Sequence, residues 1–302
     1  MSKIKYVDTK FSKSSLDIIE KANQIIEEYA AQGFDLTLRQ LYYQFVSRDL
    51  IPNKQSEYKR LGNIINDARL AGLIDWSRIT DRTRNLRGLS HWDNPGDIIK
   101  SAAHSFQIDK WAYQHFRVEV WIEKDALVGV IEGICNDLDI NYFSCRGYTS
   151  QSEMWAAAQR IIRHHNRGQK TIILHFGDHD PSGIDMSRDI TERLELFTNG
   201  GFEVHRLALN MNQIDEYSPP PNPAKTTDSR CEGYIRNYGY QSWELDALEP
   251  RVISNLIRDA VFEYRDIDLW ERDCTRENQE IESLKKAALH WDEVERHLKN
   301  IS

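Results

Sequence analysis

Two segments decide the fold of this chain: VEVWIEKD at residues 118–125 and TIILHFGDHDPSG at residues 171–183. Each begins with a run of mainly apolar and β-branched residues, which favours a buried strand. Acidic residues follow each run at once, with Glu123 after the first and Asp178 and Asp180 after the second. Two strands that each deliver carboxylates at their carboxyl end are typical of an α/β fold with a site at the edge of its sheet.

The sequence around these segments alternates between strand-like and helix-like patterns. Strands are predicted at 118–122, 141–145, 171–176 and 203–209, and helices at 126–138, 151–165 and 184–197. Such alternation predicts an α/β fold class with a central parallel sheet flanked by helices. Because ligands bind at the carboxyl ends of strands in such sheets, we expect the three carboxylates to converge on one edge.

The three carboxylates have the chemistry of a site for a divalent cation. Asp178 and Asp180 are two residues apart, so in an extended turn both side chains project to one side and His179 to the other. Carboxylates this close repel one another unless a cation is bound or one of them takes up a proton. Mg²⁺ accepts a few carboxylate ligands and keeps room for phosphate oxygens. The alternative is that all three are only helix-capping and turn residues.

The first part of the chain is predicted to be helical and to bind DNA. Segments 73–76 and 78–80 tend toward β structure and predict a small hairpin after the third helix. Three helices and a hairpin indicate a winged helix-turn-helix, which presents its third helix to a DNA groove. The helices are predicted to start near Ser14 and Ser15 and end at Gly33, to open at Thr37, and to cover 56–71 with a stop at Gly72. The predicted domains are a winged-helix domain at 1–112 and a metal-binding domain with a helical extension at 113–302.

Charge is distributed unevenly along the chain, although the net charge is −8. Residues 1–117 carry 18 basic and 14 acidic side chains, so this part has a charge of +4 and the remainder −12. Between Arg39 and Arg87, ten basic residues face five acidic ones. Such a local excess indicates a phosphate-binding surface, although an ordinary solvated helix face is the alternative. The predicted DNA contacts are Lys59, Arg60, Asn63, Arg69, Arg82 and Arg84.

One side chain of the second helix can act as a nucleophile by itself. Tyr42 falls on the apolar stripe that begins with Leu38, while Tyr43 is turned about 100° away from it. Arg39 is four residues before Tyr43 on the same side and can hold a phosphate beside its hydroxyl. A phenol with an ordinary pKa near 10 needs a neighbouring cation or base to act at neutral pH. Helix geometry alone leaves the alternative that Tyr43 is a surface residue.

These residues resemble a known family. Segments 38–43, 122–126, 143–148 and 177–183 are similar to motifs of the A subunit of topoisomerase VI (type IIB) and of the meiotic double-strand-break transesterase, whose metal-binding domain is called Toprim. In length the chain is most similar to the small stand-alone proteins called mini-A. Two positions depart from the family pattern, because Gln40 replaces an acidic residue and Ser182 replaces an aromatic one.

The resemblance implies a mechanism and a set of partners. Tyr43, with Arg39 beside it, would attack double-stranded DNA and form a 5′-phosphotyrosyl link, as in a topoisomerase of the isomerase class. Mg²⁺ would be bound by Glu123, Asp178 and Asp180, with Glu123 alternatively acting as general acid or base. The family joins one protomer's tyrosine to the other's metal site, which implies a homodimer. Strand passage would use a separate ATPase subunit.

Other functions remain open on the sequence alone. A Toprim nuclease would use metal-activated water, and a DNA-binding protein with the same fold would not cut at all. No apolar run of about 18 residues and no signal core occur, so we expect a cytoplasmic, nucleoid-associated protein without membrane contact. The four cysteines include no close pair, which argues against a disulfide framework and a zinc site.

Overall fold

The structure, a computed structural model, describes residues 3–79, 88–224 and 227–301 and has a parallel sheet at its centre. Its strands are β1 (Phe116–Ile122), β2 (Asn141–Ser144), β3 (Lys170–Phe176) and β4 (Phe202–Ala208). They lie in the order β2-β1-β3-β4, every neighbouring pair is parallel, and helices flank the sheet. Each predicted strand is present, which confirms the α/β fold class.

The helices of the described residues follow the predicted order. The three predicted between strands are all present, with the first preceded by a short 3-10 helix at Asp125–Leu127. Two further 3-10 helices lie at Trp76–Arg78 and Leu245–Ala247, and β5 (Asn222–Pro223) pairs with β6 (Gln241–Ser242) in an antiparallel ladder. The α-helices are α1 (Lys13–Ala31), α2 (Leu38–Ser47), α3 (Gln55–Leu70), α4 (Pro95–Ser105), α5 (Val128–Asp137), α6 (Gln151–His165), α7 (Pro181–Phe197), α8 (Met211–Tyr217), α9 (Cys231–Tyr238), α10 (Pro250–Tyr264), α11 (Ile267–Leu289) and α12 (Trp291–Ile301).

Local hydrogen bonds set the ends of the first helices. Ser12, slightly before the predicted start, caps α1 by accepting from the backbone of Ser15 at 3.2 Å. A reciprocal capping box opens α2, in which Gln40 N–H donates to Thr37 Oγ1 at 3.2 Å and Thr37 N–H donates to Gln40 Oε1 at 2.8 Å. Gln40 therefore has a local role at the position where the resembled family has an acid. Glycines at positive φ, Gly33 at 86° and Gly72 at 73°, follow α1 and α3 as predicted.

The segment after α3 differs from the predicted hairpin. Residues Trp76–Arg78 form a 3-10 helix instead of the turn between two strands. The cause is local, because the Asp75 carboxylate accepts from the backbone N–H of Ser77 at 2.9 Å and from its hydroxyl at 2.7 Å, which closes a tight turn. Ile79 makes only an isolated bridge with Leu36. Thr80, the end of the predicted hairpin, lies outside the described residues, so the winged helix stays a prediction.

Buried side chains form distinct cores around the helices and the sheet. The N-terminal core contains Leu41 and Phe45 of α2 together with residues of α1 and α3. Ala247 also belongs to this core, so the segment after β6 reaches from the sheet to α2. By contrast, α4, which falls within the predicted first domain, packs on α11. None of the described helices is long and apolar enough to cross a membrane.

Candidate active site

The predicted carboxylates lie at the carboxyl ends of two neighbouring strands. Glu123 follows β1, and its Oε2 accepts a hydrogen bond from the backbone N–H of Asp178, after β3, at 2.8 Å. Asp180 caps α7, because its Oδ1 accepts from Gly183 N–H at 2.7 Å and from the Ser182 hydroxyl at 2.9 Å. The structure therefore brings Glu123 and Asp178 into direct contact and places Asp180 at the start of the next helix.

His179 points away from the carboxylates, as its position between two aspartates predicts. Its Nδ1 lies 2.8 Å from the hydroxyl of Tyr234, and its ring contacts Tyr238 and Trp243 edge-on. Its backbone exchanges two hydrogen bonds with Trp243, at 2.8 and 2.9 Å. This pairing fixes the chain after β6 against the loop that carries Asp178.

The chain after β6 adds two carboxylates, Glu244 and Asp246, that were not among the predicted site residues. Leu245 N–H donates to Asp178 Oδ1 at 2.8 Å, which holds Glu244 and Asp246 beside the predicted site. Lys124 joins all three acids, since its ammonium lies 3.0 Å from Asp178, 2.8 Å from Glu244 and 2.9 Å from Asp246. The acids of Glu244-Leu245-Asp246 have the same two-residue spacing as Asp178 and Asp180. That repeated spacing is a sequence signal that would have found them.

Arg206 of β4 is a third residue at the candidate site that was not among the predicted site residues. Its guanidinium donates to the carbonyl oxygens of Gly177 at 3.0 Å, Asp178 at 2.6 Å and Gly183 at 2.9 Å. These contacts hold the loop between β3 and α7 in shape. An arginine within a strand carries no local signal for this role, because its partners are contributed by residues distant in sequence.

We refer to Glu123, Asp178, Asp180, Glu244 and Asp246 as the acid cluster. The cations among and against these acids are Lys124, Arg39 and Arg206. Five carboxylates and three cations leave a formal charge of −2 when all are ionised. The carboxylate oxygens are also the type of ligand that Mg²⁺ prefers. The cluster therefore fits a divalent cation in charge and chemistry. Within residues 3–79, 88–224 and 227–301, however, no three acidic, histidine or cysteine side chains are already arranged to hold a metal ion.

Burial raises the pKa of two of the predicted acids, Glu123 and Asp178. Burial and the neighbouring Asp178 charge raise the pKa of Glu123 to about 7. Burial also raises the pKa of Asp178 to about 6, although the Lys124 ammonium opposes the rise. Both carboxyl groups therefore hold a proton at higher pH than an ordinary carboxyl group does. Perturbed acids of this kind are frequent at functional sites.

Arg39 connects the acid cluster to Tyr43 within one chain. Its guanidinium lies 2.5 Å from Glu244 and 3.0 Å from Asp246, and 5.9 Å from the centre of the Tyr43 ring. Tyr43 is only 3% exposed, so the alternative of a surface tyrosine is wrong. A tertiary contact causes this burial, because the 3-10 helix Leu245–Ala247 packs on α2, which the periodicity of α2 alone does not predict.

The environment of Tyr43 is a small polar cavity of about 180 Å³. Burial raises the pKa of Tyr43 above its ordinary value, as do the charges of Asp246 and Glu244, while Arg39 opposes them. The phenol is therefore protonated in the resting protein at neutral pH. The cavity is lined by Arg39, Tyr42, Tyr43, Asn53, Lys54, Gln55, Tyr58, Asn222 and Glu244.

The predicted DNA contacts on α3 occupy different environments. Lys59 and Asn63 are exposed, and Arg60 is exposed beside Glu57, with a nitrogen–oxygen distance of 2.8 Å. Arg69 already donates to the carbonyl oxygens of Trp76 at 2.9 Å and Ile79 at 3.2 Å. Its guanidinium thus helps to hold the segment after α3. Arg82 and Arg84 lie outside the described residues.

Gly183 is required by the close approach of α7 to the loop before it. A Cβ atom at this position would stand 2.1 Å from the backbone oxygen of Asp178. We expect Gly183→Ala to lower the free energy of unfolding by about 1–3 kcal/mol, because backbone must shift to accept the methyl group. Chemical denaturation measures this loss. Gly133→Ala, in α5 with nothing within 4 Å of its added Cβ, is the control and is expected to be neutral or stabilising by up to about 1 kcal/mol.

Equal stability of the two alanine variants would contradict the close approach at Gly183. A second readout separates folding from the site. The Gly183 variant, if it folds, displaces the Asp178 carbonyl that accepts from Arg206 at 2.6 Å. A Gly183→Ala variant that is destabilised, still folds and also loses activity would show that the strain acts on this loop.

His175 gives the fold a defined pH dependence. Burial, assisted by the Arg206 charge, lowers the pKa of His175 to about 3. The unfolded chain takes up this proton near pH 6.5, so below that pH the unfolded state binds the extra proton and the free energy of unfolding falls. We expect this group to contribute a loss of about 1.4 kcal/mol per pH unit below pH 6.5. Urea denaturation of wild type and His175→Asn between about pH 7 and pH 5 checks it.

The comparison of the two proteins isolates His175 from other titrating groups. Acids such as Glu123 and Asp178 titrate in both proteins and cancel in the difference. The stability advantage of wild type over His175→Asn is expected to shrink as pH falls. An advantage that stays constant across this range would show that His175 is protonated equally in both states.

Comparison with known proteins gives no family assignment. A scan against protein-family models, a search of curated proteins and a search of solved structures each find no significant match. The function of this chain therefore has to be inferred from the chemistry and geometry of the acid cluster and of the Tyr43 cavity.

Proposed function

We propose that the protein is a Mg²⁺-dependent DNA-cleaving transesterase in which Tyr43 is the nucleophile. One observation carries the proposal: Arg39 contacts Glu244 and Asp246 and lies beside the ring of Tyr43, so the tyrosine and the acid cluster form one connected site. A nucleophile, a cation for phosphate and a set of carboxylates are the parts that phosphodiester transfer requires. The motif resemblance to topoisomerase VI A subunits supports the same reaction.

The proposed reaction conserves the energy of the broken bond. The phenol oxygen of Tyr43 attacks phosphorus, and a new phosphate ester forms as the bond from phosphorus to the 3′ oxygen of the adjoining nucleotide breaks. The phenol proton passes to a base, and the departing 3′ oxygen takes up a proton. Because one ester replaces another, the step is reversible and requires no energy source, which permits rejoining.

The residues of the site have separate roles in this reaction. Arg39 holds the phosphate next to the phenol, and its charge favours the phenolate over the phenol. Glu123 can exchange a proton at neutral pH, and that proton belongs on Oε1 because Oε2 accepts from Asp178 N–H. Glu123, Asp178 and Asp180 would hold Mg²⁺, which supplies stabilisation of the charge that develops on the phosphate.

The finer architecture and the partners belong to the same proposal. We infer that the helices α1–α3 act as a winged-helix DNA-binding domain and that the sheet with its acid cluster is a Toprim domain. The exposed side chains of Lys59, Arg60 and Asn63 on α3 support a DNA contact. A homodimer would pair two such sites on opposite DNA strands, each with its tyrosine and acid cluster from one chain and not from two protomers as the resemblance implies. A separate ATPase subunit would be needed for strand passage.

A nuclease that uses metal-activated water is the second candidate. It is favoured by the burial of Tyr43 and by its raised pKa, because a buried neutral phenol is a weak nucleophile. In that case the acid cluster alone would cleave DNA, and Tyr43 would serve the fold. The two candidates differ in whether the protein becomes joined to the cut DNA.

An incubation with supercoiled plasmid and Mg²⁺ tests the proposal. Half of each reaction is treated with detergent and protease, and half with detergent alone, before electrophoresis. A transesterase gives cut DNA that enters the gel normally only after protease treatment. Cut DNA that migrates normally without protease supports the nuclease, and plasmid left intact in the presence of Mg²⁺, with and without ATP, supports a protein that binds DNA without cutting.

A further inference from the structure

A cavity at the carboxyl end of β2 has no part in the proposed reaction. Its volume of about 520 Å³ lies within the range of about 300–1,000 Å³ that is usual for small-molecule sites. The loop after β2 that lines it is attached to the end of β1, because Cys145 N–H donates to the Ile122 carbonyl oxygen at 2.8 Å and Gly147 N–H to that of Glu123 at 3.3 Å. The cavity therefore adjoins the acid cluster.

Two hydroxyl groups that line this cavity lack good hydrogen-bond partners. The hydroxyl oxygen of Ser144 is buried, and no group of the described residues forms a hydrogen bond with it. Thr149 is only 6% exposed, and its hydroxyl has the weakly bonding sulfur of Cys145 beside it but no oxygen or nitrogen partner among the described residues. Buried hydroxyls without partners are costly, so two of them at one cavity indicate a ligand with polar edges.

The charges around the cavity favour an uncharged ligand over an anion. Its lining contains two carboxylates, Asp125 and Glu153, against one cation, Arg146. Arg146 is already paired with Asp125, with nitrogen–oxygen distances of 3.2 and 3.3 Å. The Glu153 carboxylate is exposed and forms no ion pair with any residue of the described ranges. It can therefore accept a hydrogen bond from an N–H group of a ligand, whereas it would repel a phosphate.

Two exposed flat groups border the cavity and can hold an aromatic ring. The guanidinium of Arg146 is held by its two contacts with Asp125 and keeps 75% of its side chain exposed. The ring of Tyr148 is fixed by a 2.6 Å hydrogen bond from its hydroxyl to Asp185 and by the Arg230 guanidinium, 5.3 Å from the ring centre. Nucleobases stack on arginine and aromatic side chains of this kind. A planar, uncharged ligand with hydrogen-bonding edges therefore fits the cavity best.

We propose that this cavity binds an unpaired base of DNA, with Ser144, Thr149 and Glu153 as the hydrogen-bond partners of its polar edge. The choice of DNA rests on the proposed function, whereas the planar, uncharged character of the ligand rests on the cavity alone. Glu153 accepts from an exocyclic amino group, which adenine, guanine and cytosine carry. Because a paired base does not present this edge, the cavity selects a base that has left the stack. No bond is made or broken in this binding step.

Binding of DNA in EDTA tests the cavity without any cleavage. The probes are a labelled duplex with one unpaired adenine and the same duplex with an abasic sugar at that position, so that both carry the same charge. Fluorescence anisotropy is expected to show that wild type binds the adenine probe about tenfold more tightly. Ser144→Ala is expected to reduce this preference about threefold, and its combination with Thr149→Val should nearly abolish it. Ser152→Ala, the same change at an exposed position of α6 outside the cavity, should keep the full preference.

Chemical denaturation separates a hydroxyl that serves a ligand from one that serves the fold. Because the Ser144 hydroxyl has no partner among the described residues, its removal should leave the denaturation midpoint unchanged or raise it. A midpoint that falls in Ser144→Ala would show that the hydroxyl stabilises the fold, and it would overturn the assignment of this group to a ligand.

The outcomes separate the base site from the proposed reaction. Equal affinity of wild type for the two probes, no binding of either, or full preference in the double variant would overturn the base site. Covalent capture of DNA by a protein with equal affinity for the two probes would overturn the base site alone. A protein that prefers the adenine probe through Ser144 but never becomes joined to DNA would keep the base site and refute the transesterase.

Discussion

Tyr43→Phe is expected to eliminate covalent capture of DNA while leaving the fold intact. The substitution removes only the hydroxyl, together with the hydrogen bond that it accepts from the Arg39 guanidinium. The N-terminal core keeps the aromatic ring, so the free energy of unfolding should change by less than about 1 kcal/mol. Plasmid cleavage followed by detergent, with and without protease, measures the captured fraction. Removal of a nucleophile reduces such reactions by several orders of magnitude, which here means to background.

Tyr42→Phe is the matched control for Tyr43→Phe. It removes a hydroxyl from the neighbouring residue, together with the hydrogen bond from that hydroxyl to Asn53 at 2.9 Å. We expect a loss of about 1 kcal/mol in stability and retention of DNA capture. Undiminished capture by Tyr43→Phe, or equal loss in both variants, would contradict the assignment of Tyr43 as nucleophile.

Asp178→Asn is expected to abolish Mg²⁺-dependent cleavage at almost no cost in stability. Asn can still accept from Leu245 N–H, and Lys124 keeps its contacts with Glu244 and Asp246. The variant loses the contact with Lys124, but it also removes a buried charge from a cluster of like charges. Because these two effects offset each other, the free energy of unfolding should change by no more than about 1 kcal/mol. Both candidate enzymes predict this loss of activity. Cleavage over a range of Mg²⁺ concentrations and chemical denaturation are the two measurements.

Asp125→Asn is the control for Asp178→Asn. Asp125 is also acidic and lies close by in sequence, but it pairs with the exposed Arg146 at 3.2 Å outside the acid cluster. The Asp125→Asn variant should cleave DNA as wild type does. If Asp178→Asn cleaves normally at every Mg²⁺ concentration, the acid cluster does not serve the reaction, and DNA binding without cutting becomes the better description.

The sheet could be predicted because its signals are local. The strands β1 and β3 contain mainly apolar runs that end at polar residues, and β4 alternates apolar and polar residues. Helix α6 was placed at its observed bounds, from a serine cap to its basic end. The segment after α3 was predicted as a hairpin, but residues Trp76–Arg78 form a 3-10 helix because the side chain of Asp75 closes a tight turn. Short β-tending runs do not reveal that competition.

The candidate site was predictable only in part, because some of its residues are brought there by contacts between distant parts of the chain. Glu123, Asp178 and Asp180 stand directly after strands, so the topology of a parallel sheet brings them to one edge. Glu244 and Asp246 reach that edge through the pairing of Trp243 with His179, which joins residues far apart in sequence. The burial of Tyr43 likewise depends on a distant 3-10 helix, so helical periodicity could not reveal it.

Peptide mapping after reaction with DNA tests the central claim most directly. Wild-type protein is incubated with a DNA duplex and Mg²⁺, stopped with detergent, digested with nuclease and protease, and examined by mass spectrometry. Our account predicts that a peptide containing Tyr43 carries the added mass of a nucleotide through its phosphate. Cleaved DNA in the same reaction with every Tyr43 peptide unmodified would contradict it.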